Sequence, residues 1–243
     1  MTFQELLSTF KVQPDICRKI WDENDQLKPD ISDALMKIAL LFYDSIDIKN
    51  KPPIKDVVLT GSMAGYNYSD ASDIDLHLIF DFESLGNKKE LFEKIFLLAK
   101  SKWNDSHNIT IKGHDVEVYA EDENSPHVTT GLYSVKHNKW IKPPKKETPV
   151  FDSLDVKTKV RYFVDIYNEM KRDFNAGKIE GLQDKVEALR QKIKQFRQSG
   201  LEKGGVFSVE NITFKALRRI GLLEKLYDLN TQLTDKDLSI EHL

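Results

Sequence analysis

Among 243 residues the chain has a single cysteine, Cys17. One thiol cannot close a bridge within the chain, so the fold must hold without disulfides, and this usage points to the cytoplasm. Long apolar runs are also missing. None approaches the roughly 18 to 20 residues that a membrane span requires, and the opening MTFQELLSTFKVQPDICRKIWDEN has neither the basic nor the apolar region of a secretory leader. No membrane partner is expected. His107, His114, His127 and His137 lack partner cysteines and close pairs, so they match no zinc pattern. There is no Gly-x-x-x-x-Gly-Lys-Ser/Thr, which leaves a P-loop enzyme without support. No internal repeat or low-complexity tract is present, which argues against a solenoid.

What is present is a globular composition, 40% apolar and 31% charged, in a chain long enough to bury a full core and to form one or two domains. The net charge of −3 hides an asymmetry. Residues 1–150 hold 19 Lys+Arg against 24 Asp+Glu, and residues 151–243 hold 17 against 15. An acidic first part followed by a slightly basic second part is the pattern of a metal on one side and a polyanion on the other.

Three helical patterns come first: FQELLSTF, PDICRKIWDEN and ISDALMKIALLFYDSI. In the third, Ile31, Leu35, Ile38, Leu41 and Phe42 fall on one stripe, and Asp30 is placed as an N-cap. KDVVLT and DIDLHLIF read as strands separated by a loop of Gly, Ser, Asn and Asp. KELFEKIFLLAKSKW reads as an amphipathic helix, and ITIKGHDVEVYAE as two strands around a Lys-Gly-His turn. The segment WIKPPKKETPVFD, with three prolines, ends the strand-like patterning. The boundary falls there, giving a core with N-terminal helices over 1–148 and a helical domain over 149–243. The second part reads as helices near 154–175, 180–198 and 208–229. In the middle one Leu182, Val186, Leu189, Ile193 and Phe196 form an apolar stripe, with Ser199-Gly200 as its stop signal. GLEKGGVFSVEN, with Gly200, Gly204 and Gly205, reads as a connection between helices. The class is α+β.

The chemistry concentrates in LTGSMAGYNYSDASDIDLHLIF, residues 59–80. Side chains alternate along a strand, so Asp73, Asp75 and His77 share one face while Ile74, Leu76 and Leu78 point to the core. Adjacent carboxylates repel unless a cation lies between them. Magnesium suits such a pair, being hard, oxygen-seeking and ready to share its shell with substrate phosphates. Gly61-Ser62 supplies a turn where backbone can approach a ligand closely, with amides and a hydroxyl for phosphate oxygens. A third acid is wanted to complete metal binding or to accept a proton, and DVEVYAE provides Glu117 between two valines, with Asp115 on the same face as the alternative. An EF-hand does not fit, because Leu76, Leu78 and Ile79 fall where oxygen ligands and the glycine belong.

Gly-Ser, ten intervening residues, then Asp-Ile-Asp-Leu and a later apolar-flanked acid resemble the DNA polymerase beta-type nucleotidyltransferase superfamily. More broadly, IWDENDQLKPDI, LTGSMAGYNYSDASDIDLHL, ITIKGHDVEVY and GLEKGGVFSVENITFKALRRIG are similar to uncharacterised nucleotidyltransferase-like proteins of tailed bacteriophages. The resemblance implies a mixed β-sheet flanked by helices, two magnesium ions, and transfer of a nucleoside monophosphate from a nucleoside triphosphate such as ATP to a hydroxyl, with release of pyrophosphate. It implies that Gly61 and Ser62 hold the triphosphate, Asp73 and Asp75 both metals, and Glu117 the metal nearer the acceptor. The loop MAGYNYSDAS departs from the pattern by lacking the arginine that many small relatives carry after Gly-Ser.

Other residues carry two readings each. Tyr66 and Tyr68 either stack on a base or pack beside the core. His77 either meets substrate or is held by a neighbour. Arg190, Lys194 and Arg197, with Lys215, Arg218 and Arg219, form either a solvated face or a surface for acceptor phosphates, and the latter makes RNA the favoured acceptor over protein or small molecules. Competing functions are a non-catalytic nucleotide-sensing or RNA-binding module on the same fold, and a metal-dependent glycosyltransferase, which leaves Gly61-Ser62 unexplained.

Overall fold

The computed structural model describes residues 3–125, 129–147 and 151–239. His127 and the 148/149 boundary lie outside them. The chain divides into two compact units, Lys11–Thr148 and Met1–Phe10 with Pro149–Leu243.

The first unit is an α+β structure built on a six-stranded mixed sheet. Its strands are β1 (Asp56–Thr60), β2 (Ile74–Phe80), β3 (Thr110–Ile111), β4 (His114–Asp122), β5 (Leu132–Ser134) and β6 (Lys139–Lys142), in the order β3-β4-β2-β1-β5-β6. Only β2 and β4 run parallel, and the helix Lys89–Ser106 lies between them in sequence. That is the crossover a parallel pair needs. Ile74, Leu76, Leu78 and Phe80 of β2 and Val116 and Val118 of β4 are buried in the main core. The helices Pro29–Ser45, through Ile31, Leu35, Ile38 and Phe42, and Lys89–Ser106, through Phe92 and Phe96, pack into the same core. The opposite face carries the acids, with a small apolar cluster of Val58, Ile79 and Leu132 further along.

β4 is a near-edge strand, and the Asn104 side chain closes part of its open side. Its amide donates to the Val118 carbonyl at 3.1 Å and accepts from the Val118 amide at 3.0 Å, as a neighbouring strand would. Asn104→Ala leaves both groups without these partners, and a loss of roughly 1–3 kcal/mol is expected. Urea unfolding should show a lower midpoint with an unchanged slope.

Several sequence expectations are corrected. PDICRKIWDEN is not a helix but a run of turns closed by a bridge between Trp21 and Leu27. The Asp22 carboxylate accepts from the amides of Asn24 and Gln26, an arrangement that competes with helical bonding, while Ile16, Cys17, Ile20 and Trp21 are buried. Asp30 is not the N-cap: the helix begins at Pro29, where a missing N–H costs nothing, and Lys28 precedes it. Leu41 of the expected stripe is 51% exposed.

In the second unit the long helices are Ser153–Asn175, Leu182–Gly204, Val209–Arg219 and Leu222–Leu238. Ser199-Gly200 does not stop its helix. Gly200 is buried, and a Cβ there would stand 2.4 Å from the Glu210 Cβ, so this glycine allows close helix packing. The segment 208–229 is two helices, parted at Gly221 with φ 70°. The short helix Phe3–Ser8 belongs to this unit, because Leu6 and Phe10 bury themselves in its apolar cluster. β5 and β6, at three and four residues, have no counterpart in the sequence reading.

Candidate active site

β1 ends at Thr60, and Gly61 turns the chain with φ 73° and ψ −159° into a 3-10 turn at Ser62–Ala64. Register places Thr60 opposite Asp75 on β2, and Asp75 opposite Glu117 on β4. A Cβ at position 61 would lie 1.9 Å from Asp75 Oδ2. The aspartate carboxylate therefore occupies the space that a side chain would take, and only glycine admits it. Asp73 stands one residue before β2, half-buried. Asp115 shares the face of Glu117 but is exposed and pairs with Thr110 at the β3 edge. The fold thus brings Gly61, Asp75 and Glu117 together, with Asp115 one pleat away.

Beyond the acids the same face continues through aromatic and ionisable residues. His77 is opposite Tyr119, and Ile79 opposite Glu121. The His77 and Tyr119 rings stack at 4.6 Å and 18°. His77 Nδ1 lies 2.6 Å from Glu121 Oε2, and the Tyr119 hydroxyl donates to Glu117 Oε2. Tyr119 and Glu121 also line a cleft of about 310 Å³ with Phe96, Leu97 and Lys100. Of the two readings of His77, the one held by a neighbour describes its contacts.

The loop between the glycine turn and β2 is braced by residues distant in sequence. Trp21 is fully buried, donates Nε1–H to the Met63 carbonyl at 2.8 Å and stacks on Trp140 at 4.6 Å. Gln13 bonds the carbonyls of Tyr66 and Tyr68 through its amide and side chain. His114 Nδ1 lies 2.8 Å from the Ser72 carbonyl, next to Asp73, and must donate because a carbonyl only accepts. Tyr66 and Tyr68 are half-buried against the core, and burial raises the Tyr68 pKa, so packing describes them. Alternation along β4 could have singled out Tyr119 and Glu121, which follow Glu117 at two-residue steps. No local pattern marks Gln13 or Trp21.

The basic residues of the second unit are partly taken up within it. Arg190 pairs with Glu187 at 2.7 Å, Arg197 lies over the Phe214 ring, and Arg219 lies over Phe10 and donates to Thr9. These contacts are those of a helical surface.

Among the described residues no three His, Cys, Asp or Glu side chains form a metal-binding group, and Glu117 is turned to Tyr119. The donors nevertheless fit a hard divalent cation. Asp75 and Glu117 are oxygen donors on adjoining strands of one face, and the Asp75 carboxylate fills the space that a side chain at Gly61 would take.

No family model matches the chain, and no curated protein matches it. Among solved structures, the CdnE cyclic dinucleotide synthase of Elizabethkingia meningoseptica, determined with GTP and Apcpp, is similar at 13% identity and a TM-score of 0.26. The match covers 94% of this chain and 98% of that one. At that score the likeness decides nothing about function. No helix among the described residues is long and apolar enough to cross a membrane.

Proposed function

We propose that the chain is a magnesium-dependent nucleotidyltransferase of the polymerase beta type, moving a nucleoside monophosphate from a nucleoside triphosphate to an acceptor hydroxyl. The observation that carries this reading is the Asp75 carboxylate seated against the bare Gly61 turn and in register with Glu117. Asp73, Asp75 and Glu117 are the residues that would hold two magnesium ions, whose charge would offset that of the triphosphate and the leaving pyrophosphate. Gly61 and Ser62 offer amides and a hydroxyl to phosphate oxygens. The acceptor oxygen forms a bond to the α-phosphorus, and the bond from that phosphorus to the bridging oxygen breaks. Pyrophosphate leaves with the electron pair, and the hydroxyl proton passes to a base, for which Glu117 is the carboxylate on the neighbouring strand.

A second reading, a nucleotide-binding module without turnover, is favoured by one observation: the Glu117 oxygen that accepts from Tyr119 is already engaged, which weakens Glu117 as a base while leaving its other oxygen for a cation. Incubation of the protein with magnesium, each α-labelled triphosphate and total cell extract separates the two. Label is expected in one acceptor pool, with RNA ends examined first, then protein and small molecules. Magnesium-nucleotide binding by calorimetry without label transfer supports the binding module. Neither binding nor transfer refutes both.

A further inference from the structure

We propose that Glu121, His77 and Tyr119 form a positioning array that fixes the Glu117 carboxylate beside Asp75. The proposal rests on the reading above that Glu117 holds a divalent cation. Glutamate reaches from the backbone through three rotatable bonds, so a metal-holding glutamate needs an outer partner to orient it. The Tyr119 hydroxyl is that partner, donating to Oε2 and leaving Oε1 for a cation.

Tyr119 is itself held. Its ring stacks on His77 at 4.6 Å, and the Lys100 ammonium lies 4.1 Å from the ring centroid. His77 in turn is fixed through Nδ1 by Glu121 at 2.6 Å, where an ionised carboxylate can only accept and the imidazole donates. Side-chain exposure falls to 17% at His77 and 23% at Glu121, so the contact is largely shielded from water. Register enforces the order. Asp75 opposes Glu117, and one pleat on, His77 opposes Tyr119. A strand face with a merely solvated surface has no reason to link its polar groups in one unbroken series ending on Glu117.

Manganese binding tests the array without relying on turnover. The full chain is titrated with Mn2+ in the presence of a non-hydrolysable triphosphate, and free Mn2+ is read by electron paramagnetic resonance. Glu117→Gln is expected to weaken binding. Tyr119→Phe, which keeps the ring and its stacking, is expected to weaken it about tenfold with the melting temperature little changed. The double variant should bind no more weakly than Glu117→Gln alone, because the hydroxyl acts only through that carboxylate. His77→Ala should produce a smaller loss in the same direction. Wild-type affinity in Tyr119→Phe, with Glu117→Gln weakened, overturns the array but spares the metal reading. Unchanged affinity in Glu117→Gln overturns both.

Discussion

Asparagine in place of Asp75 is expected to lower nucleotidyl transfer on the order of 10³-fold, about 4 kcal/mol of transition-state stabilisation. Asparagine has nearly the same shape, so the contact with the Gly61 turn survives while the charge is lost. The removed charge is the one that sits beside the turn and faces Glu117 across the strand pair. A metal-holding role adds a second expectation, which is thermodynamic. Magnesium with a triphosphate analogue should raise the melting temperature of the wild-type protein, through binding to the folded state alone, and should raise that of Asp75→Asn far less. Single-turnover transfer and thermal shift on the same samples measure both. A variant that keeps a tenth of the wild-type rate, or an undiminished magnesium response, would contradict the role assigned to Asp75.

Gly61→Ala should be strongly damaging although it alters no functional group. Two costs combine. Residue 61 has φ 73°, where a β-carbon costs roughly 1–3 kcal/mol. The added carbon would also stand 1.9 Å from Asp75 Oδ2, a separation no real contact shows, so either the aspartate or the turn must move. Their sum is expected near 2–4 kcal/mol of lost stability, with transfer down about a hundredfold because the carboxylate is displaced. Gly205→Ala is the control. It has φ 67° and ψ −158°, close to the values at Gly61, with nothing within 4 Å, so it carries the backbone cost without the collision. Urea unfolding of the two variants, beside transfer rates, isolates the part due to Asp75. Equal stability losses and full activity in Gly61→Ala would show that the turn and the aspartate are not coupled.

Legibility in the sequence followed the strength of local periodicity. β1, β2 and the long helices 89–106 and 153–175 were readable because burial imposes a period of 2 or 3.6 over many residues. Residues 14–24 misled because Ile16, Cys17, Ile20 and Trp21 have helix-like spacing, whereas Asp22 ties its carboxylate to two later amides and closes a turn. Gly200 misled in the other direction. It looks like a terminator, yet the helix continues because the glycine makes room for Glu210 and Ser208. β5 and β6 are too short to display any alternation. At the site, the strand face of Asp73, Asp75 and Glu117 could be read from alternation alone. That Glu117 rather than Asp115 opposes Asp75 could not, because register between strands joined by a helix depends on how the whole sheet is assembled. The bracing of the loop by Trp21 and Gln13, some 42 to 55 residues away in sequence, is likewise a product of tertiary packing.

The most direct measurement is a crystal structure of the protein with Mn2+ and a non-hydrolysable triphosphate, with anomalous scattering used to locate the metal. Bound manganese contacting Asp75 and Glu117, with the triphosphate on the Gly61-Ser62 turn, is the expected result. Nucleotide bound elsewhere, or no anomalous signal at these carboxylates in crystals that hold the nucleotide, would contradict the central claim.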